Sequence, residues 1–207
     1  YAALTEVLLL LGLKPVFAEV DAATFLMDVA ALEGLITEKT RAIAPVHLYG
    51  QMVSMEPLLA LAKKHNLYVV EDAAQAIGSQ YCTPGEHGFA GTMGHIGTTS
   101  FFPSKNLGCY GDGGAMFTSD DALAKKLRQL ANHGQSVKYQ HDVVGLNSRL
   151  DTLQAAVLLA KLPHLSDFEK ARRAVAARYD AGLQDLQGLS VPQRTIDSSH
   201  VFHQYTL

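Results

Sequence analysis

Short, continuously apolar runs alternate along this chain with helical patterns of about ten residues, and no other feature constrains the fold as strongly. Residues 1–11 (YAALTEVLLLL) carry a helical pattern closed by Gly12. PVFAEV (residues 15–20) reads as a strand and residues 28–36 as a helix. RAIAPVHL (residues 41–48) reads as a second strand, residues 56–65 as a second helix. LYVV (residues 67–70) is a third strand, running directly into Glu71 and Asp72. Strands that are apolar throughout and alternate with helices predict an α/β fold: a mostly parallel central sheet flanked by helices on both faces.

Residues 78–97, rich in Gly, Pro, Thr and His, break the rhythm and read as a loop excursion. TTSFF (residues 98–102) and GAMFTS (residues 114–119) resume as strands, and Asp120 or Asp121 can N-cap the helix ALAKKLRQLAN. From Asp151 the character changes. DTLQAAVLLAKL is helical, Pro163 starts a new helix or kinks the old one, and the pattern continues to about Leu186 before a loop and the strand-like VFHQYTL. Long charged helices without strands predict a way out of the sheet domain. The expected division is a partial large domain over residues 1–165, a connecting helix over 166–190 and the start of a small C-terminal domain over 191–207. The chain opens inside a helical pattern without Met and stops inside a strand pattern, as expected of a fragment lacking both ends.

The composition narrows the partners. With 207 residues, 18% of them charged, and a formal net charge of −3, nothing points to nucleic acid or an anionic membrane. The longest apolar stretch is far too short to span a bilayer. Two cysteines, Cys82 and Cys109, make no disulfide framework and read as free thiols of a reducing cytoplasm.

In an open α/β sheet, ligands bind beyond the carboxyl ends of the strands. Asp72 follows LYVV directly, and Lys105 follows TTSFF after a short turn, so both can face one crevice. A lysine meant for covalent chemistry must lose its proton, and burial favours that loss. Pyridoxal phosphate offers an aldehyde to such a lysine, and its ring nitrogen needs a carboxylate such as Asp72. Ser100 can offer a hydroxyl to the phosphate. Gly108, Gly111, Gly113 and Gly114 would let the chain turn tightly where side chains would collide with a bound ring. Spacing alone leaves an ordinary loop lysine as the commoner reading.

The wording of the residues changes this. VVEDAAQAIGSQY, TSFFPSKNLGCYGDGGAMFTSDD, ANHGQ and VGLNSRLDTLQAAVLLAKL resemble, in order, the signature blocks of the DegT/StrS family of nucleotide-sugar aminotransferases. GLKPVFAEVDAATF and TRAIAPVHLYGQ look like the same family. The resemblance implies a fold-type-I pyridoxal 5'-phosphate enzyme. Lys105 matches its Schiff-base lysine and Asp72 its pyridinium partner. Gln75 matches the residue against the cofactor ring and Ser100 the phosphate-binding serine. Asn147 matches an asparagine that reaches the cofactor of a neighbouring subunit, which implies a homodimer with shared active sites. Arg149 is the expected contact for an anionic part of the substrate. Lys105 also separates this chain from the family's dehydratase branch, which resembles these enzymes but has histidine there.

Within the family, TSFFPSKNLGCYGDGG, GLNSRLDTLQAA and HQYTL resemble aminotransferases acting on UDP-linked 3-keto-hexuronic acids in O-antigen and lipopolysaccharide synthesis, with glutamate as the implied amino donor. A 4-keto-sugar or cyclitol aminotransferase is the near alternative, and a non-catalytic binding or regulatory homologue is the alternative of another class. The loop over residues 82–96 departs from the family by its length. Cys82, His87, His95 and Cys109 lack the spacing of a compact zinc site. GCYGDGG is not a dinucleotide fingerprint, and Phe102 occupies the serine position that S-x-x-K chemistry needs. His47 and Tyr49 can line the crevice or serve packing. His200 and His203 can point toward substrate or alternate along a strand.

Overall fold

In the computed structural model, residues 2–207 are described; Tyr1, where the first helical pattern opens, lies outside the described residues. The first helix, α1, spans Ala3–Leu10 and is closed at Gly12, which turns left-handed at φ +69. Beyond it, residues 15–20 are not a strand. Val16 and Phe17 are exposed, and the single bridge Val20↔Met27 is all the pairing the segment makes. An extended apolar segment needs a neighbouring edge to become a strand, and none lies beside this one. Asp21 instead folds the chain back, its carboxylate accepting from the Ala23 and Thr24 N–H groups. The predicted helix over residues 28–36 is two 3-10 turns, Val29–Ala31 and Glu33–Leu35, the first capped by Asp28. Gly34 weakens helical propagation there.

The sheet is formed by β1 (Ala42–Ile43), β2 (Tyr68–Asp72), β5 (Ile96–Ser100) and β6 (Gly114–Phe117), in the order β1-β2-β5-β6. The β1·β2 and β2·β5 pairs are parallel, and β6 runs antiparallel to β5. The molecule is thus α/β with a mixed sheet. Helix α2 (Met55–Lys64) buries Met55, Leu58 and Ala62 in the core that holds Val69, Ala73 and Ala76. Only one face of β2 is sealed: Val69 and Glu71 are buried, Val70 and Asp72 half-buried, Tyr68 exposed. The predicted loop over residues 78–97 contains a hairpin, β3 (Gln80–Cys82) with β4 (His87–Phe89), turned at Pro84–Gly85 with Thr83 N–H donating to Glu86 O. A Pro-Gly pair between short runs is a hairpin signal that outweighed the loop composition.

Helix α3 (Asp121–Ala131) is capped by the Asp120 carboxylate, which accepts from the Ala122 and Leu123 N–H groups. A small hairpin of β7 (Gln135–Val137) and β8 (Gln140–His141) follows. Helix α4 (Thr152–Lys161) places Leu158 against Phe101, Leu107 and Cys109, a second small core under the Lys105 loop. Pro163 lies in a 3-10 turn, Leu162–His164, which leads into α5 (Leu165–Leu183). The final segment is not a strand. Phe202 adopts φ +48, and the segment docks irregularly, Val201 N–H to Gly50 O and Gln204 N–H to Tyr49 O. Among the described residues no helix is long and apolar enough to cross a membrane.

Candidate active site

Asp72 ends β2 and Ser100 ends β5, where the parallel register pairs Asp72 with Thr98. The two residues therefore leave the sheet on neighbouring strands at the same end. Asp72 is fixed through its backbone, donating from N–H to Pro45 O and accepting at O from His47 N–H. Its Oδ1 accepts from Ala74 N–H at 3.0 Å, which opens the turn carrying Gln75. Gln75 Oε1 in turn accepts from Tyr49 N–H at 2.6 Å, and Tyr49 sits in a left-handed turn at φ +58.

Lys105 lies on the excursion between β5 and β6. Phe102 ties it to Ser100: Ser100 Oγ accepts from Phe102 N–H at 3.2 Å, and Phe102 O accepts from Lys105 N–H at 2.9 Å. The Ser100 hydroxyl keeps its own proton to donate. Among the described residues the Lys105 amine makes no hydrogen bond or ion pair, although it is half-buried. Burial pushes its pKa below the ordinary lysine value, and the Asp72 carboxylate pulls part of the way back. Asp72 thus lies near enough for its charge to act on the Lys105 amine.

The glycines after Lys105 serve a different purpose from the tight turns expected of them. None of the four takes a left-handed φ. A Cβ on Gly108 would stand 2.5 Å from Pro103 O, and one on Gly114 would stand 2.7 Å from Thr99 O. At these two positions backbone meets backbone, which by itself requires glycine.

Three neighbours complete the surroundings of Lys105, and of these the sequence offers only His203, as a residue able to point toward substrate or to alternate along a strand. Asn106, next to Lys105, donates from Nδ2 to Val201 O at 3.2 Å, while its buried Oδ1 has no partner among the described residues. His203 follows in that docked segment. Its buried Nδ1 likewise has no partner among the described residues, and burial first, then the positive charges of Lys105 and Arg172, push its pKa down to about 4. The third is Arg172 on α5, which donates to Phe202 O and His203 O. Long-range docking of a chain end leaves no local pattern, so only a reading that placed HQYTL in the crevice could have found them.

Asn147 and Arg149 stand apart. Both are exposed, joined to each other by Arg149 Nε donating to Asn147 Oδ1 at 2.9 Å, on a segment bridged to Asn132 at the end of α3. They share no hydrogen bond with the Lys105 group. His47 is fully buried against Glu71 and serves packing. His200 stacks on Phe202 at 3.9 Å. Cys82 faces His87 across a hairpin, Cys109 is buried, and among the described residues no group of three or more His, Cys, Asp or Glu is placed to hold a metal.

The model of the DegT/DnrJ/EryC1/StrS aminotransferase family matches residues 1–207. The chain belongs to this family. It is 52% identical over 198 residues to the pleiotropic regulatory protein of Geobacillus stearothermophilus, covering 95% of this chain and 52% of that protein. It is 46% identical over 207 residues to the UDP-2-acetamido-2-deoxy-3-oxo-D-glucuronate aminotransferase of Pseudomonas aeruginosa, covering 100% and 56%. Among solved structures, Streptomyces venezuelae DesV in complex with a ketimine intermediate superposes with a TM-score of 0.93 at 43% identity, over 99% of this chain and 54% of DesV. The chain spans about half the length of the curated relatives it matches. Aminotransferases of the DegT family use pyridoxal phosphate.

The residues present fit that group. An unpartnered, half-buried amine, a carboxylate with one oxygen free of protein donors, a free hydroxyl proton and an anchored amide meet at the carboxyl end of the sheet. This is the donor set that an aldehyde, a protonated ring nitrogen and a phosphate require.

Proposed function

We propose that this chain carries the cofactor-binding part of an aminotransferase that moves an amino group from glutamate to the keto group of a UDP-linked 3-keto-hexuronic acid. The name of the Pseudomonas relative supports that substrate class. Synthesis of a bacterial surface polysaccharide such as O-antigen, in the cytoplasm, is the setting in which such a sugar is used. The observation that carries the reading is the half-buried Lys105 amine, left without a partner beside Asp72.

Pyridoxal phosphate, when bound, supplies an aldehyde for an amine and a ring that draws electrons from the donor's α-carbon. Lys105, its pKa lowered by burial, gives up its proton more readily than an exposed lysine and would serve as the nucleophile, its Nζ then taking up and returning the α-carbon proton. Asp72, anchored through Oδ1 and both backbone groups, turns its second oxygen to hold a proton on the ring nitrogen. Gln75, its amide plane set by Tyr49 N–H, orients the ring. Ser100 donates its hydroxyl proton to the phosphate. Asn147 and Arg149, both exposed, act on the active site of a second copy, Asn147 at the phosphate and Arg149 at the sugar's anionic part. The enzyme is then a homodimer. Residues 1–165 form the large domain, 166–190 the connecting helix and 191–207 the entry to the small domain.

The name of the Geobacillus relative favours a second reading, a regulatory homologue without turnover. One experiment separates the two. Full-length protein mixed with pyridoxal phosphate should show a visible protein-bound absorbance band that is absent in Lys105→Ala and bleaches when glutamate is added. A folded protein with no lysine-dependent band would overturn the enzyme reading.

A further inference from the structure

We propose that Arg172 is a positioning residue for the Lys105 site: from α5 it fixes the turn that places His203 as the outer wall beside the lysine. This rests on Lys105 being the reactive amine.

The geometry is a clamp with three holds. Arg172 Nη1 reaches two successive carbonyls, Phe202 O at 3.0 Å and His203 O at 3.3 Å. They are the carbonyls of a left-handed residue, Phe202 at φ +48, and of the residue after it; such a conformation costs free energy unless its surroundings enforce it. From the other side Asn106, adjacent to Lys105, holds Val201 O, and the Gly50 and Tyr49 carbonyls hold the Val201 and Gln204 N–H groups. His200 closes the turn from within, its Nδ1 accepting from Phe202 N–H at 3.0 Å while its ring stacks on the Phe202 ring. Asn106 and the two carbonyls hold the segment from one side; on the α5 side Arg172 holds the backbone at Phe202 and His203, while Tyr205 Oη, three residues after Phe202, donates to Asp180. Nη1 carries two N–H groups, one for each of these acceptors.

Removing the Arg172 guanidinium loosens the turn, and water then reaches Lys105. The charged groups facing Lys105 are Asp72 from the end of β2 and His203 from the docked segment; those facing His203 are Lys105 and Arg172. Burial is what lowers the Lys105 pKa, so wetting the site raises it.

The test uses full-length protein stripped of cofactor. Lys105 and the exposed Lys138 are labelled with trinitrobenzenesulfonate across a pH series and quantified by peptide mass spectrometry. The midpoint of each labelling curve reports ionisation separately from access. The wild-type Lys105 midpoint lies below that of Lys138. In Arg172→Met it moves at least halfway up to Lys138, and in Arg172→Lys it moves part of that distance. If Arg172→Met does not fold by circular dichroism, Arg172→Lys decides. A folded variant whose Lys105 midpoint stays at the wild-type value overturns the proposal, because a helix contact that only adds stability leaves that midpoint alone. The readout needs no cofactor, so a missing visible band would sink the aminotransferase reading without touching this one.

Discussion

His47 Nε2 and Glu71 Oε2 meet at 2.8 Å with neither side chain exposed, one residue before Asp72. His47 Nδ1 accepts from Val53 N–H, so the ring proton sits on Nε2 and is donated to the carboxylate. Glu71 also accepts from the N–H groups of Gly91, Met93 and Gly94, which fastens the β4–β5 connection to the strand that carries Asp72. Burial alone would raise the Glu71 pKa, but these hydrogen bonds outweigh it and hold the carboxyl below its ordinary 4.5.

Glu71→Ala should therefore destabilise the protein by about 3–5 kcal/mol, since it strands one imidazole and three backbone donors in the core. Urea denaturation measures this directly; a loss within experimental error of wild type would mean that water reaches those donors.

Acid should weaken the fold in two stages. The buried His200 and His203 have pKa values pushed down to about 4, against 6.5 when exposed. Between those values the unfolded chain binds more protons than the folded one, so stability falls as pH drops from about 6.5 toward 4. Glu71 adds its loss only below 4.5, where the unfolded carboxyl takes a proton before the folded one does. His200→Asn combined with His203→Gln should flatten the first stage and leave the second. Urea midpoints across pH at constant salt would show both.

Asp72→Asn should lower turnover at least about 100-fold. Asparagine keeps the oxygen that caps Ala74 N–H, so the melting temperature should change little while the ring nitrogen loses its counter-charge. Steady-state kinetics beside a thermal melt separates the two effects.

Gly108→Ala and Gly114→Ala should each cost about 1–3 kcal/mol, because the new methyl meets backbone oxygens that cannot turn aside. Gly111→Ala meets the Gln154 side chain at 3.1 Å, which can shift, and should cost under about 1 kcal/mol. Equal losses at all three positions would contradict this account.

The central strands were legible because apolar runs in a sheet interior are self-announcing: the strands expected over residues 67–70 and 98–102 appear as Tyr68–Asp72 and Ile96–Ser100, each offset by one or two residues. The failures came at the margins. Residues 15–20 and 201–207 have strand composition but no edge to pair with, and pairing is not a local property. Asp72 and Lys105 could be placed together because each follows a strand. Asn106 and Arg172 could not, and His203 stayed between two readings, because their placement depends on α5 and on a docked end with no period of its own.

That docked end also sets the order in which the crevice is completed. The bond from Asn106 to Val201 spans 95 residues, that from Gln80 to Ser199 spans 119, and that from Met52 to Ser198 spans 146. A growing chain therefore exposes Lys105 about 5–20 s before the wall beside it has been synthesised. Until then the lysine stands open to any passing aldehyde, and a chain truncated before Val201 would stay in that state.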